Sequence, residues 1–284
     1  MIRPLRSISQ GEVADHYDDL DTFYRDVWGE HLLHGLWRTG RESIQEAVRQ
    51  LVRHLAEKVG VERGMHVVDV GSGYGATARQ LTAELGARVT AITVSPAQHE
   101  YARGVATGGE SQVRYVLGDW NSNLFPDESF DRAIAIESTE HMADKAAAFR
   151  HLRRVLVPGG TVGICAWIAA DRPAEWMVRR LLEPICREGR LPGLGTEADY
   201  RALLEESGFR IDAVDDLSPL VAATWSRSVR GVAGRIARDR RYRSYLLDRN
   251  SRNREFAITL VRILLAYRAG AMRYLMFVAR RPAP

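Results

Sequence analysis

The chain has 284 residues, of which 45% are hydrophobic, and its 40 basic and 36 acidic side chains leave a net charge of +4. This length suits one globular unit with a substrate-binding elaboration, and the balanced charge argues against a nucleic-acid-binding surface. Cys165 and Cys186 are too few for a disulfide framework and lack metal-ligand spacing. No stretch reaches the roughly 18 apolar residues of a membrane span. We therefore expect a soluble, cytoplasmic protein with no metal site and no membrane or nucleic-acid partner.

Two amphipathic helices are predicted before the first strand. Apolar residues recur at helical spacing over residues 15–28 and again over residues 44–59, where Gly60 ends the pattern. We assign residues 1–62 to an N-terminal helical lid.

The middle of the chain alternates strands with helices, which is typical of a parallel Rossmann-like sheet. The predicted strands are 66–70, 88–93, 113–117, 132–136 and 161–167, and the predicted helices include 76–85, one from Pro96, and 145–156. Helices over 174–187 and 197–207 follow, then a strand over 209–214, a helical stretch over 217–270 and a last strand over 274–279. We expect residues 63–216 with 271–284 to form the core, and 217–270 to form a helical substrate cap.

A glycine-rich turn follows the first strand, in residues 67–75. Glycines at 71, 73 and 75 let the backbone approach a ligand closely, and Asp69 beneath the turn can hold its amides or face a bound ammonium group. A dinucleotide dehydrogenase uses the same mechanics with a different spacing, G-x-G-x-x-G. Taken alone, the turn is therefore only moderately specific for one class of cofactor.

This turn resembles the first motif of class I S-adenosylmethionine-dependent methyltransferases. In that family the second strand usually ends in an acid that binds the ribose, whereas this chain has Thr93 and, five residues later, Gln98. The T-x-S-x-x-Q pattern is similar to the branch of cyclopropane fatty acid synthases and tocopherol methyltransferases, where the Thr and Gln contact the ribose. The missing acid also disfavours an NAD oxidoreductase.

Later motifs extend the resemblance. Residues 118–120 are similar to the adenine-binding segment of the family, residues 136–142 resemble the S-x-E-H-M segment of tocopherol-type enzymes, and residues 24–37 resemble the lid of sarcosine and tocopherol methyltransferases. The resemblance implies S-adenosylmethionine as cofactor and a set of residues that bind it: Tyr24, His34, Asp69, Gly71, Gly73, Thr93, Gln98, Asp119, Trp120 and Glu137. It also implies the fold, an α/β doubly wound sheet of seven strands with the last one antiparallel and the helical cap inserted before it.

Candidate catalytic residues are His141, which ends the fourth strand, its neighbour Glu140, and Tyr200. If the acceptor is an OH or NH group, His141 can take its proton. If the acceptor is an alkene, methylation leaves a cation, which aromatic faces stabilise. Five aromatic residues lie in the lid, after the fifth strand or in the cap, where substrate should bind, and for each of them core packing remains the alternative: Tyr17, Trp167, Trp176, Tyr200 and Trp225.

Ten arginines fall between residues 227 and 254. They form either a solvated face of the cap helices or an anion site, and the pattern does not decide between them. Self-association through the lid or the cap is also left open.

These observations predict a methyltransferase of natural-product biosynthesis that acts on a small molecule. Within the resemblance, the terpenoid-directed members are nearest, and they include the teleocidin-type enzymes, which methylate an alkene carbon and trigger cyclisation. We therefore expect a terpenoid or prenylated substrate and carbon methylation. The alternatives are a small-molecule O- or N-methyltransferase and a catalytically silent cofactor-binding protein. Lipid cyclopropanation is disfavoured because the chain lacks the bicarbonate-binding pattern of those enzymes.

Overall fold

Seven strands form one sheet in the computed structural model of the chain, which describes residues 1–4, 6–19, 21, 25, 29–105, 112–238 and 256–283. The strand order is β3-β2-β1-β4-β5-β7-β6, and β7 runs antiparallel to both of its neighbours. The strands are β1 His66–Val70, β2 Arg88–Thr93, β3 Val113–Leu117, β4 Phe130–Ile136, β5 Leu156–Ala169, β6 Arg210–Asp216 and β7 Met272–Arg280. The doubly wound α/β sheet and its antiparallel last strand confirm the predicted fold.

Helices cover both faces of the sheet. They are α1 Gln10–Asp19, α2 Ile44–Val59, α3 Ala76–Leu85, α4 Pro96–Val105, α5 Lys145–Val155, α6 Glu175–Met177, α7 Glu183–Glu188, α8 Glu197–Glu206, α9 Ser218–Val221, α10 Ala223–Arg238 and α11 Phe256–Arg268. A π-helical turn, Val178–Leu182, joins α6 to α7. Helices α9, α10 and α11 lie between β6 and β7, as predicted for the segment before the last strand.

The hydrophobic core has one layer on each side of the sheet. Phe149 of α5 and Tyr200 of α8 belong to one buried cluster, while Leu55 of α2 and Leu81 of α3 belong to the other. Because both faces are covered, the central parallel strands bury consecutive residues instead of alternate ones, as in residues 67–70 of β1 and 89–93 of β2. This packing leaves the carboxyl ends of β1, β2 and β4 as the edge where polar side chains can meet a ligand.

Helix α1 begins earlier than the periodicity predicted. The Ser9 hydroxyl accepts a hydrogen bond from the Glu12 backbone N–H, and the Glu12 carboxylate accepts one from the Ser9 N–H at 3.1 Å. This reciprocal capping box starts the helix at Gln10 instead of residue 15. The predicted continuation to residue 28 falls largely outside the described residues.

Strand β5 is longer than predicted because it includes the turn expected at residues 158–160. Leu156 already pairs with Phe130, and the next β4–β5 pair is Arg132 with Thr161. The intervening residues form a bulge in which Gly159 has a φ of +79°. The glycines thus bend the strand without ending it.

Among the described residues, no helix is both long and apolar enough to cross a membrane. In the same residues, no group of His, Cys, Asp or Glu side chains is placed to hold a metal ion.

Candidate active site

A cleft of about 900 Å³, open to solvent, lies at the carboxyl ends of β1, β2 and β4. Helix α1 and residues 30–33 cover it from the N-terminal side. Eight of the predicted cofactor residues line it: Asp69, Gly71, Gly73, Thr93, Gln98, Asp119, Trp120 and Glu137. The fold therefore brings together residues that span almost 70 positions of the chain.

Two glycines of the turn line the cleft, and they differ in how much space surrounds them. A Cβ on Gly71 would overlap the Ser138 Cβ, so this position is closed by packing. A Cβ on Gly73 would approach only the Gln98 amide nitrogen, at 3.9 Å. Gly73 therefore borders open space in the cleft, where a ligand can lie against its backbone.

Asp69 is the last residue but one of β1 and is 2% exposed. Its Oδ2 atom has no hydrogen-bond partner among the described residues. Burial raises the pKa of this carboxyl to about 7. A buried carboxylate oxygen without a donor fits the ammonium group of a ligand, which would restore the hydrogen bond and the charge balance.

Thr93 and Gln98 meet at the far side of the cleft. The Thr93 hydroxyl donates to Gln98 Oε1 at 2.9 Å, and the Ser95 backbone N–H donates to the same hydroxyl at 3.3 Å. This arrangement holds the Gln98 side chain over Gly73 with its amide nitrogen toward the cleft.

The adenine candidates are fixed by the polypeptide around them. Asp119 accepts from the Asn121 backbone N–H at 3.0 Å, and the Trp120 indole donates to the Ala148 carbonyl at 3.0 Å. Trp120 is buried, and its ring lines the cleft. Both side chains are therefore held in place by hydrogen bonds to the surrounding backbone.

Glu137 and His34 form a buried pair at the inner end of the cleft. Glu137 accepts from the His34 backbone N–H at 2.7 Å, from the Tyr274 hydroxyl at 2.8 Å, and from His34 Nδ1 at 2.8 Å. The Trp225 indole donates to His34 Nε2 at 2.6 Å. Because an indole N–H can only donate, Nε2 must be the acceptor and Nδ1 must carry the proton. His34 is thus held in one neutral tautomer and has no free nitrogen for proton transfer.

A second cavity, of about 660 Å³, adjoins the cleft and shares five residues with it. The shared residues are Tyr17, Leu32, Leu33, Glu137 and His141. The rest of its lining is mostly apolar or aromatic: His16, His34, Trp167, Ile185, Gly189, Thr224, Trp225, Thr259 and Ile263. His34, predicted to bind cofactor, lines this second cavity and not the cleft.

Tyr17 and His141 lie at the junction of the two cavities. The Tyr17 hydroxyl is 2.9 Å from His141 Nε2. Burial, together with the neighbouring His16 and Lys145 charges, lowers the pKa of His141 to about 3, while burial raises the pKa of Tyr17 above its usual value. Both groups are neutral near pH 7, and the imidazole is a weak base.

Glu140 and Tyr200 lie behind this junction, fully buried, and line neither cavity. The Tyr200 hydroxyl is 2.8 Å from the Thr139 hydroxyl, and Glu140 accepts from the Trp167 backbone N–H at 2.8 Å. Burial raises the pKa of Glu140. The structure thus places these two candidates beneath the turn that carries His141, and not against a substrate.

Two predictions concern residues that the structure describes only in part. Tyr24 lies outside the described residues, as does most of the arginine-rich interval beyond Arg238. Within that interval, Arg227 lies 4.0 Å from the centre of the Trp37 ring and donates to the Gly40 carbonyl. The anion site stays a prediction.

The sequence pattern indicates only that Tyr17 and Trp225 are aromatic residues that either pack in the core or contact substrate. It does not distinguish Tyr274 from the other residues of the last strand. The helical spacing of Val13 and Tyr17 was the available signal, because both side chains line the cleft from one face of α1. The contacts to His141, His34 and Glu137 are long-range and left no local pattern in the sequence.

The chain is similar to several known proteins over most of its length. Residues 6–233 match the family model described as mycolic acid cyclopropane synthetase. The 27-O-demethylrifamycin SV methyltransferase of Amycolatopsis mediterranei is 27% identical over 95% of this chain and 97% of that protein. A sterol 24-C-methyltransferase of Yarrowia lipolytica is 32% identical over 74% of this chain and 58% of that protein.

Solved structures with the same fold include two that differ in their chemistry. The [4+2]-cyclase SpnF is 26% identical, with a TM-score of 0.81 and coverage of 99% of each chain. The cyclopropane synthase MmaA2 of Mycobacterium tuberculosis is 20% identical, with a TM-score of 0.85, over 96% of this chain and 99% of that one. These matches agree with the resemblance carried by the glycine turn and the residues after β2 and β4.

Proposed function

The chain belongs to the mycolic acid cyclopropane synthetase family of S-adenosylmethionine-dependent methyltransferases, and from this premise we propose that it methylates an alkene carbon of a small terpenoid or prenylated molecule. The observation that carries the proposal is the second cavity, which shares a wall with the cofactor cleft and offers aromatic faces beside a buried carboxylate. The division into lid, core and cap belongs to the same proposal, because α10 and α11 contribute Trp225 and Ile263 to that cavity.

The cleft residues fit the cofactor. When bound, S-adenosylmethionine supplies a methyl group on a sulfonium centre. Asp69 would hold its ammonium group, Thr93 and Gln98 its ribose hydroxyls, and Trp120 its adenine ring. Most of the catalytic effect then comes from alignment of the methyl group with an acceptor in the second cavity.

The second cavity suits an acceptor that becomes positively charged. In methyl transfer to an alkene, the methyl carbon–sulfur bond would break as the alkene electron pair forms the new carbon–carbon bond. Its electron pair would stay on sulfur as a neutral thioether, and the positive charge would pass to the neighbouring alkene carbon. Trp167 and Trp225, with ring centres 6.2 Å apart, offer faces worth about 0.5 to 2 kcal/mol each to such a cation. The Glu137 carboxyl, which accepts hydrogen bonds from His34 and Tyr274, lies in the wall that the two cavities share.

The weak basicity of His141 favours an alkene acceptor over an alcohol. With a pKa of about 3, the imidazole is a poor base for a hydroxyl group. A C–H bond next to a cation is far more acidic, so even this imidazole can accept its proton. The Tyr17 hydroxyl can take up that proton while passing its own to His141 Nε2, which restores a carbon–carbon double bond in the product.

The experiment compares two cavity variants with a surface control, using a panel of prenylated indoles, prenyl diphosphates, phenols and amines. We expect Trp225→Leu to lower the methylation rate about tenfold, because one aromatic face is lost. Trp176→Leu, at a tryptophan that is 54% exposed, should not change it. His141→Ala should still methylate but change the distribution of products, since termination of the cation is altered.

An O-methyltransferase is the second candidate, favoured by the Tyr17–His141 pair and by the relative that acts on 27-O-demethylrifamycin SV. In that case His141→Ala should lose more than about a thousandfold in rate with no new products, and Trp225→Leu should keep a near-normal rate.

A cofactor-binding protein without methyl transfer is the third candidate, since one similar structure is a [4+2]-cyclase. Consumption of S-adenosylmethionine by an accepted substrate separates this candidate from the other two.

A further inference from the structure

Helix α1 is fastened to the cofactor cleft by carboxylates. Asp18 accepts from the Ser95 hydroxyl and from the Ala97 backbone N–H, the latter at 3.4 Å. Further along the segment, Asp21 accepts from the Tyr74 hydroxyl at 2.7 Å. Of these contacts, the one at Asp18 reaches the residues that form the candidate ribose site.

Ser95 transmits this contact to the ribose candidates. It is fully buried, and its hydroxyl accepts from the Gln98 backbone N–H at 3.1 Å. Its own backbone N–H donates to the Thr93 hydroxyl, which donates to Gln98 Oε1. Since a serine hydroxyl has one proton, its donation to Asp18 leaves the oxygen lone pairs to face Gln98. An unbroken chain of hydrogen bonds therefore runs from Asp18 to both ribose candidates.

The neighbouring residue on α1 makes the other half of the argument. Tyr17 precedes Asp18 directly and contacts His141 at the junction of the two cavities. One end of α1 is thus tied to the ribose side of the cleft through Asp18 and to the reaction side through Tyr17. A ligand that orders Gln98 and Thr93 would also order the helix that carries Tyr17.

We propose that Asp18 is a positioning residue for methyl transfer, which couples occupation of the ribose site to the placement of Tyr17 against His141. Because coupling between two sites is reciprocal, docking of α1 against the cleft should tighten cofactor binding. The factor should equal the one by which bound cofactor favours the docked position of α1. The inference concerns the cofactor side only and does not depend on the acceptor.

Amide hydrogen exchange with S-adenosylhomocysteine tests this coupling. In the wild-type protein, saturating ligand should slow exchange in α1 about tenfold, because local opening becomes less frequent. In Asp18→Asn, ligand at saturation should protect α1 clearly less than in the wild type, because only the direct contacts of α1 with the cleft remain. Asp19→Asn, which removes an exposed carboxylate from the same helix, is the matched control and should keep the wild-type protection.

Affinity provides the second readout. Asp18→Asn should raise the dissociation constant of S-adenosylhomocysteine about tenfold, as expected for loss of a charge-assisted hydrogen bond. Ser95→Ala breaks the same chain from the core side, and the double variant should bind no more weakly than the weaker single variant. If Asp18→Asn fails to fold, Ser95→Ala tests the same contact. Wild-type affinity and full ligand protection of α1 in the folded variants would overturn the proposal.

Discussion

Burial shifts the pKa values of three groups in the cleft toward their neutral forms, raising that of one acid and lowering those of two histidines. The pKa of Asp69 is raised to about 7, whereas those of His31 and His141 are lowered to about 4 and about 3. At neutral pH the imidazoles are therefore uncharged, and Asp69 is the group in the cleft that titrates there. Its ionisation should be visible in ligand binding.

We predict that S-adenosylhomocysteine binds more tightly as the pH rises toward about 7, and that its affinity then levels off. Below that pH the empty site holds a protonated Asp69, which must lose its proton to face the ligand ammonium group. Since the complex favours the ionised form, affinity falls by up to about tenfold for each pH unit below the pKa. Calorimetric titrations between about pH 5.5 and about pH 8 measure this change.

Asp69→Asn is the control for this titration. It should bind more weakly than the wild type and lose the pH dependence over the same range. A wild-type affinity that is flat across the range would mean that Asp69 does not face the ammonium group.

At the scale of single residues, the sequence located the cofactor candidates because they follow strands in recognisable motifs. It could not anticipate that His34 donates to Glu137 and accepts from Trp225, a residue 191 positions away. Nor could it separate Tyr17, at the cavity junction, from Tyr200, which is buried behind it. Both are aromatic residues on helices, and only the packing of those helices distinguishes them.

At the scale of elements, the glycine turn joins β1 to α3 and uses positive φ angles at Gly71 and Gly73. The two positions differ in what surrounds them. Gly71 packs against Ser138 of the segment after β4, while Gly73 borders the open cleft. A substitution at Gly71 should therefore mainly lower stability, whereas one at Gly73 should mainly weaken ligand binding.

We predict that Gly71→Ala lowers the free energy of unfolding by about 3 kcal/mol, because its Cβ overlaps Ser138 and the backbone is left-handed. Gly73→Val should cost about 1 to 2 kcal/mol of stability from its φ angle but abolish S-adenosylhomocysteine binding, because its side chain occupies the cleft. Chemical denaturation and calorimetry on both variants check the difference. Normal ligand affinity in Gly73→Val would contradict this account of the turn.

The core helices were predictable because each has a buried face with a clear period, and the core strands because each is a short, largely buried segment between helices. The predicted bounds were wrong where local signals were overlooked, as at the capping box of Ser9 and Glu12 that begins α1. They were also wrong where pairing overrides a turn, as in β5, whose first residue, Leu156, is already paired with Phe130.

At the scale of the whole molecule, two cavities meet at one wall. The core supplies Glu137 and His141, α1 supplies Tyr17, and the helices before β7 supply Trp225 and Ile263. These elements are far apart in the chain, so the sequence could predict a cofactor site at the strand ends but not the shape of the space beside it. The proposal of a cationic intermediate rests on the aromatic side chains that line this space.

The most direct test of the central claim is the position of the transferred methyl group. The protein is incubated with S-adenosylmethionine labelled in its methyl group and with the acceptor panel, and the labelled product is analysed by nuclear magnetic resonance. We predict a label bonded to a former alkene carbon, with the double bond shifted or a new ring formed. A label bonded to oxygen or nitrogen, with the alkene unchanged, would contradict the proposed reaction.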